Sequence, residues 1–170
     1  TRSILAEIAT ADGDMPSRIR AAEAIGGDHD HKDALMGLID HEDDGLRAAA
    51  ASGLGGHKDK AIVDALITVA TTDKVGPVRA AALVAVKQSG SSKAQDMVCS
   101  AMIEDESPAV REAAVRTFKG TRRDSAVKCL RDKAFKEEPN AEVRDALLAV
   151  LKSSPNDNAA LVLCDAIPFW

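Results

Sequence analysis

One ten-residue pattern occurs five times in this chain, and the spacing of its copies limits the fold more than any other feature. Each copy centres on an arginine followed by alanines: Arg18, Arg47, Arg79, Arg111 and Arg144. An apolar residue precedes the last four (Leu46, Val78, Val110 and Val143), and Ser17 stands there in the first. Seven places after each arginine comes Ile25, Leu54, Val86, Phe118 or Leu151, and the arginines lie 29, 32, 32 and 33 residues apart. A fixed period in this range belongs to helical solenoids, where one supersecondary unit cannot bury its own apolar face and stacks on the next.

The copies predict helices over 17–26, 46–55, 78–87, 110–119 and 143–152, here the B set. A second set with helical apolar spacing, the A set, falls at 4–9, 34–39, 61–70, 94–103, 126–135 and 159–167. The order A-B repeats to the end of the chain and closes on an unpaired A helix, which predicts eleven helices. Turn chemistry places the cuts. Asp14, Asp43 and Asn140 stand four places before their arginines, where a side-chain oxygen caps a helix, and Ser107-Pro108 supplies a cap followed by a first-turn proline. Gly26-Gly27, Gly55-Gly56, Ser89-Gly90 and Gly120 close the B helices in the way a left-handed C-cap requires.

Composition agrees with thin, closely packed layers. Aromatic residues make up 2% and tyrosine is absent, so large rings are not available to fill a wide core. The net charge of −5 argues against a general nucleic-acid binder, which carries a basic stripe. No apolar run approaches the ~20 residues that span a bilayer, so no membrane association is expected within this chain. Cys99, Cys129 and Cys164 are odd in number, widely spaced and set in apolar helical stretches. They read as buried, reduced thiols acting as small hydrophobes, which points to a reducing, cytoplasmic setting. The chain opens on Thr1 rather than methionine, as expected of a processed protein or a monomeric module of a longer chain with its own targeting.

The pattern Val-Arg-x-x-Ala-Ala-x-x-Leu-Gly after an acidic turn resembles HEAT repeats, in particular the short subtype associated with phycobilisome lyases. The resemblance covers residues 1–170 as a single array, with repeats at about 1–27, 28–56, 57–90, 91–120 and 121–154 and a half-repeat at 155–170. It implies an all-α solenoid of stacked antiparallel hairpins, about five and a half repeats long.

In that family the arginine and a turn acid link neighbouring repeats. Asp12, Asp73, Asp105 and Glu138 stand six places before their arginines, and His41 takes that place in the second copy, which predicts a weaker link there. The expected role of Arg18, Arg47, Arg79, Arg111 and Arg144 is therefore an inter-repeat ladder with Asp12, Asp73 and Asp105, because a guanidinium forks onto a carboxylate or turn carbonyls. The competing reading is a row of anion-binding groups.

The resemblance also places B helices on a concave surface. Positions one, five and eight after each arginine share a face distinct from the core. They nominate Ala48, Ser52, Ala80, Val84, Glu112, Arg116 and Ala149, with Lys87, Lys119 and Lys152 at one edge. A small, partly apolar strip flanked by charge suits an amphipathic helix or an extended acidic-hydrophobic segment. The predicted function is a non-catalytic protein-protein interaction module or scaffold binding a protein or peptide partner, with no cofactor. The alternatives are phycobilin lyase-like chromophore handling and a structural spacer within a larger protein.

Charge is uneven: residues 1–60 hold 7 basic and 12 acidic side chains, the remainder 15 of each. Arg116, Lys119, Arg122, Arg123, Lys128, Arg131, Lys133 and Lys136 face only Asp124 and Asp132, a local excess open to an acidic or phosphorylated partner or to simple solvation.

Motifs for chemistry are scarce. Asp28-His29-Asp30-His31-Lys32-Asp33 has the composition of a metal tract, yet a turn fixes no ligand geometry and it reads as a solvated acidic turn. His41-Glu42 is a lone pair in a turn, whereas HEAT-like deoxyhypusine hydroxylases carry such pairs inside repeat helices, where this chain has Glu112 and Asp145. HEAT-like DNA glycosylases use a basic groove with aromatics. Here Phe118 and Phe135 sit at core spacings, and Phe169 and Trp170 follow the breaker Pro168. A bilin-handling pocket would call for aromatics that this composition does not supply.

Overall fold

The computed structural model describes residues 2–91, 93–131 and 138–166. Two compact units divide the chain, residues 1–94 and 95–170, a break four residues beyond the predicted start of the fourth repeat. The predicted Phe135, Pro168, Phe169 and Trp170, and the basic Lys133 and Lys136 with Asp132, lie outside the described residues.

Three hairpins form the first unit: α1 (Arg2–Thr10) with α2 (Met15–Ala24), α3 (Lys32–Leu38) with α4 (Asp44–Gly53), and α5 (Lys60–Thr72) with α6 (Gly76–Ser89). The B helices α2, α4 and α6 pack side by side in that order, and the A helix α1 packs on α3. In the second unit α7 (Ala94–Glu104), α8 (Pro108–Arg116), α9 (Asp124–Cys129), α10 (Ala141–Ser153) and α11 (Asp157–Ala166) follow. There α8 packs on α10, α10 on α11, and α9 on α11. Eleven α-helices and no strand are found among the described residues.

The arginine-plus-seven residues explain why these helices stack. Ile25, Leu54 and Val86 are wholly buried, and Phe118 and Leu151 are 1% exposed. Each large side chain so buried contributes roughly 1.5–3 kcal/mol, and the alanines between them let helix backbones approach. Ala22, Ala50, Ala51, Ala82 and Ala114 are fully buried in this way.

Helix starts follow the cap residues. The Asp14 carboxylate accepts the Ser17 N–H at 3.0 Å, Asp43 accepts Leu46 N–H at 2.9 Å, and Asn140 accepts Val143 N–H at 3.0 Å. Ser107 occupies the cap position before Pro108, but its hydroxyl makes no capping bond, so the proline alone sets that start. Helix ends follow the glycines: Gly27, Gly56, Gly90 and Gly120 take φ of +75°, +83°, +71° and +69°. The caps place the B helices two residues earlier than the apolar pattern alone predicts, for example at Met15 rather than residue 17 and Asp44 rather than 46.

Glycine has a second role where α2 meets α4. A Cβ on Gly26 would sit 3.0 Å from Gly53 Cα, and the Gly27 N–H donates to the Gly53 carbonyl at 2.8 Å. Position eight of the first copy thus lies against the neighbouring chain rather than on an open face. Gly55, the same position in the second copy, lies against the Gln88 side chain.

Candidate functional site

Four of the five repeated arginines, Arg47, Arg79, Arg111 and Arg144, reach back into the turn that precedes their own helix. Arg47 Nη1 donates to the His41 and Glu42 carbonyls at 2.8 and 2.9 Å, and Arg79 Nη1 to the Asp73 carbonyl at 2.8 Å. Arg111 Nη1 donates to the Asp105 and Glu106 carbonyls, and Arg144 Nη1 to those of Glu138 and Pro139.

The other edge of the guanidinium reaches forward. Arg47 forks onto Asp73, Nε to Oδ2 at 2.8 Å and Nη2 to Oδ1 at 3.2 Å. Arg111 forks onto Glu138 at 2.7 and 2.8 Å. The receiving carboxylates are held by their own turns, Asp73 through the Val75 N–H and Glu138 through the Asn140 N–H. Burial alone would raise both carboxylates; the hydrogen bonds from the arginine and the backbone outweigh it and hold both below the usual range. The same bonds raise Arg47 and Arg111. In these two links every guanidinium nitrogen is engaged within the protein, which leaves no fork for an external anion.

The first turn differs. Arg18 Nε donates to the Ala9 carbonyl at 3.2 Å, and its Nη2 lies 3.3 Å from His41 Nε2. Asp12 is exposed, and no contact joins it to Arg18. The forward direction explains this: an arginine reaches the acid of the following turn, and Asp12 lies in the first turn.

Within the first unit, the B-face residues Ala48, Ala80, Val84 and Lys87 are half-buried and Ser52 is exposed, on the adjacent helices α4 and α6. In the second unit Arg116, Ala149 and Lys152 are exposed and Glu112 is half-buried on the adjacent α8 and α10, and the exposed Lys119 lies in the turn after α8. Arg116 pairs with Glu112 at 2.6 Å one helical turn away, which cancels much of the charge it brings to the basic cluster. Of that cluster's two acids, Asp124 accepts from Asn156 and Asn158, so it too is engaged.

The histidine tract is a 3₁₀ turn, His29–His31, leading into α3. The Asp28 carboxylate accepts the Asp30 N–H at 3.1 Å and lies 3.3 Å from His31 Nδ1. Among the described residues no three His, Cys, Asp or Glu side chains are grouped to hold a metal. His57 has no role assigned by the sequence pattern. It is 1% exposed, its ring meets His29 edge-on at 4.6 Å between centroids, and neither ring nitrogen has a hydrogen-bond partner. A single His after a helix-ending Gly-Gly carries no signal that the preceding hairpin will cover it.

The cysteine expectation is corrected. Cys99 and Cys129 are half-exposed and joined by a disulfide with Cα atoms 6.1 Å apart, and Cys164 is exposed. Their separation of 30 residues is one repeat period, so stacking brings α7 and α9 together at these side chains. Gln95 Nε2 donating to Ser125 Oγ at 2.7 Å joins the same two helices. The pairing removes the ground on which a reducing compartment was expected.

With hairpin order, buried offsets and forward-reaching arginines in place, one comparison decides the family. A family model described as HEAT repeats matches residues 3–87 and again 76–152. The chain belongs to the HEAT-repeat family. No individually curated protein matches it. HEAT repeats generally mediate protein–protein interaction, and the fold is the α-solenoid type of stacked hairpins that the repeat period predicts. Among the described residues no helix is long and apolar enough to cross a membrane.

Proposed function

We propose that this HEAT-repeat protein is a non-catalytic interaction module that binds a partner segment along the exposed face of its B helices. The observation that carries the reading is the strip on α4 and α6, where Ala48, Ala80 and Val84 are half-buried and uncharged. Ser52 is the polar member of the strip and Lys87 stands at its edge. Small side chains leave room for a partner's larger ones, and an apolar segment laid on such a strip loses its water at little polar cost. The B face of the second unit, taken by itself, is more polar, with the Glu112–Arg116 pair and the exposed Lys119 and Lys152.

The test is affinity capture followed by mass spectrometry, with the intact protein beside Val84→Glu and Ala149→Glu variants whose helical circular dichroism matches it. Partners retained by the intact protein and lost by a variant are the expected result. Identical partner sets for all three proteins would sink the B-face assignment and leave a structural spacer as the better account.

A further inference from the structure

A second surface of the first unit lies away from the B-face strip and has different chemistry. Between α5 and the turn that follows α6 runs a cleft of about 350 Å³, lined by Lys58, Lys60, Val63, Asp64, Ile67, Ser89, Gly90, Ser91 and Lys93. Its floor is apolar: Val63 and Ile67 are half-buried one helical turn apart on α5. Three ammonium groups stand on its rim, since Lys58, Lys60 and Lys93 are all exposed.

The charge of this cleft opposes that of its surroundings. Residues 1–60 carry 12 acidic and 7 basic side chains, and the whole chain is at −5. The single carboxylate in the lining, Asp64, accepts from Lys60 at 2.6 Å. Asp59, next along the chain, accepts from Lys32 at 3.1 Å. Lys58 and Lys93 make no ion pair among the described residues; Asp64, already bonded to Lys60, is the one carboxylate in the lining, and Lys93 is the least of the charges acting on it.

The wall facing α5 is fixed by its own bonds. Gly90 turns the chain at φ +71°, the buried Ser89 hydroxyl donates to the Val86 carbonyl at 2.6 Å, and the Ser91 N–H donates back to Ser89 Oγ at 3.3 Å. A pre-set wall lowers the ordering cost of binding.

We infer that this cleft docks an acidic peptide segment that seats one apolar side chain on Val63 and Ile67 and sets its flanking carboxylates against Lys58 and Lys93. The partner is chosen by charge complementarity, which suppresses basic competitors and speeds encounter. A bare phosphate would meet the lysines and leave the floor uncovered.

The experiment follows the fluorescence anisotropy of a fluorescein-labelled Glu-Glu-Leu-Glu-Glu peptide titrated with the intact protein. Expected results are saturable binding, at least about tenfold weaker for Lys58→Glu/Lys93→Glu, and similarly weakened when ionic strength rises from about 0.05 to about 0.5 M. Val84→Glu, on the B face, leaves it unchanged, and replacing the peptide leucine by serine weakens it. Absence of binding at about 1 mM protein, or equal affinity for the double variant, overturns the inference. Displacement of the peptide by an equal concentration of inorganic phosphate overturns it too, by showing a small-anion site that does not use the apolar floor.

Discussion

Arg18 Nη2 stands 3.3 Å from His41 Nε2, while the other nitrogen of that ring, Nδ1, accepts the Asp43 backbone N–H at 3.0 Å. A neutral imidazole has one lone pair to offer in its ring plane, so it cannot accept from both donors. Asp73, at the same position of the next repeat, accepts from Val75 N–H and from two guanidinium nitrogens at once, because a carboxylate has lone pairs for all three. Replacing His41 by Asp should therefore stabilise the first unit by about 1.5–3 kcal/mol, the range for a hydrogen bond to a charged group. Urea denaturation of His41→Asp beside the parent checks this, and a lower midpoint would show that the imidazole is better accommodated than its hydrogen bonding suggests.

Acid should loosen the links that contain carboxylates. Asp73 and Glu138 are held below their ordinary values, so the unfolded chain binds protons more readily than the folded one. The stabilisation is complete above the unfolded carboxylate range of about 4 and is lost as pH falls through the lower folded values. Denaturation midpoints measured between about pH 6 and about pH 2 should fall steeply for the parent. Asp73→Asn and Glu138→Gln should start about 1–3 kcal/mol lower at neutral pH and change less on acidification.

His57 gives a second pH dependence in a different window. Burial first, and then the nearby His29 and Lys32 charges, lower its proton affinity, and Asp59 opposes them in part. Neutral His57 is favoured in the folded state, so its contribution is present above about pH 6.5 and falls away as pH drops towards the folded value. The parent should lose up to about 1.4 kcal/mol per pH unit there, and His57→Phe should not. Equal slopes for the two proteins between about pH 7 and about pH 5 would place the sensitivity elsewhere.

Reduction should weaken the second unit selectively. The Cys99–Cys129 bond closes a loop across 30 residues, for which the chain-entropy model gives roughly 3–4 kcal/mol. Dithiothreitol, or Cys99→Ser/Cys129→Ser, should lower protection from amide exchange in α7 to α11 while α1 to α6 keep theirs. Exchange that is unchanged by reduction would mean that packing alone holds α7 against α9.

The sequence reads best where one residue's environment repeats. Ile25, Leu54, Val86, Phe118 and Leu151 share an offset from an arginine, and a shared offset on a 3.6-residue helix means a shared face. Gly27, Gly56, Gly90 and Gly120 are equally legible, since a left-handed φ after a helix selects glycine whatever lies nearby. What stays hidden depends on a contact between different repeats. The Cys99–Cys129 bond joins two A helices one period apart, and no C-x-x-C spacing announces it. His57 is buried because residues near His29 cover it, and its own neighbours Gly56 and Lys58 suggest an exposed turn. The B-face candidates stand between these cases: their common face follows from spacing, whereas the Glu112–Arg116 pair that mutes its charge depends on rotamers.

The contact of Gly26 with Gly53 bears on how such a protein is copied and recombined. Two main chains meet there with no side chain between them, and the Gly27 N–H closes on the Gly53 carbonyl. A duplication that moved the first hairpin elsewhere would keep its own glycine and lose the one it needs opposite. The first hairpin is thus matched to a single neighbour, a lock with one key, and a designed array that treats the repeats as interchangeable parts would fail first at this seam.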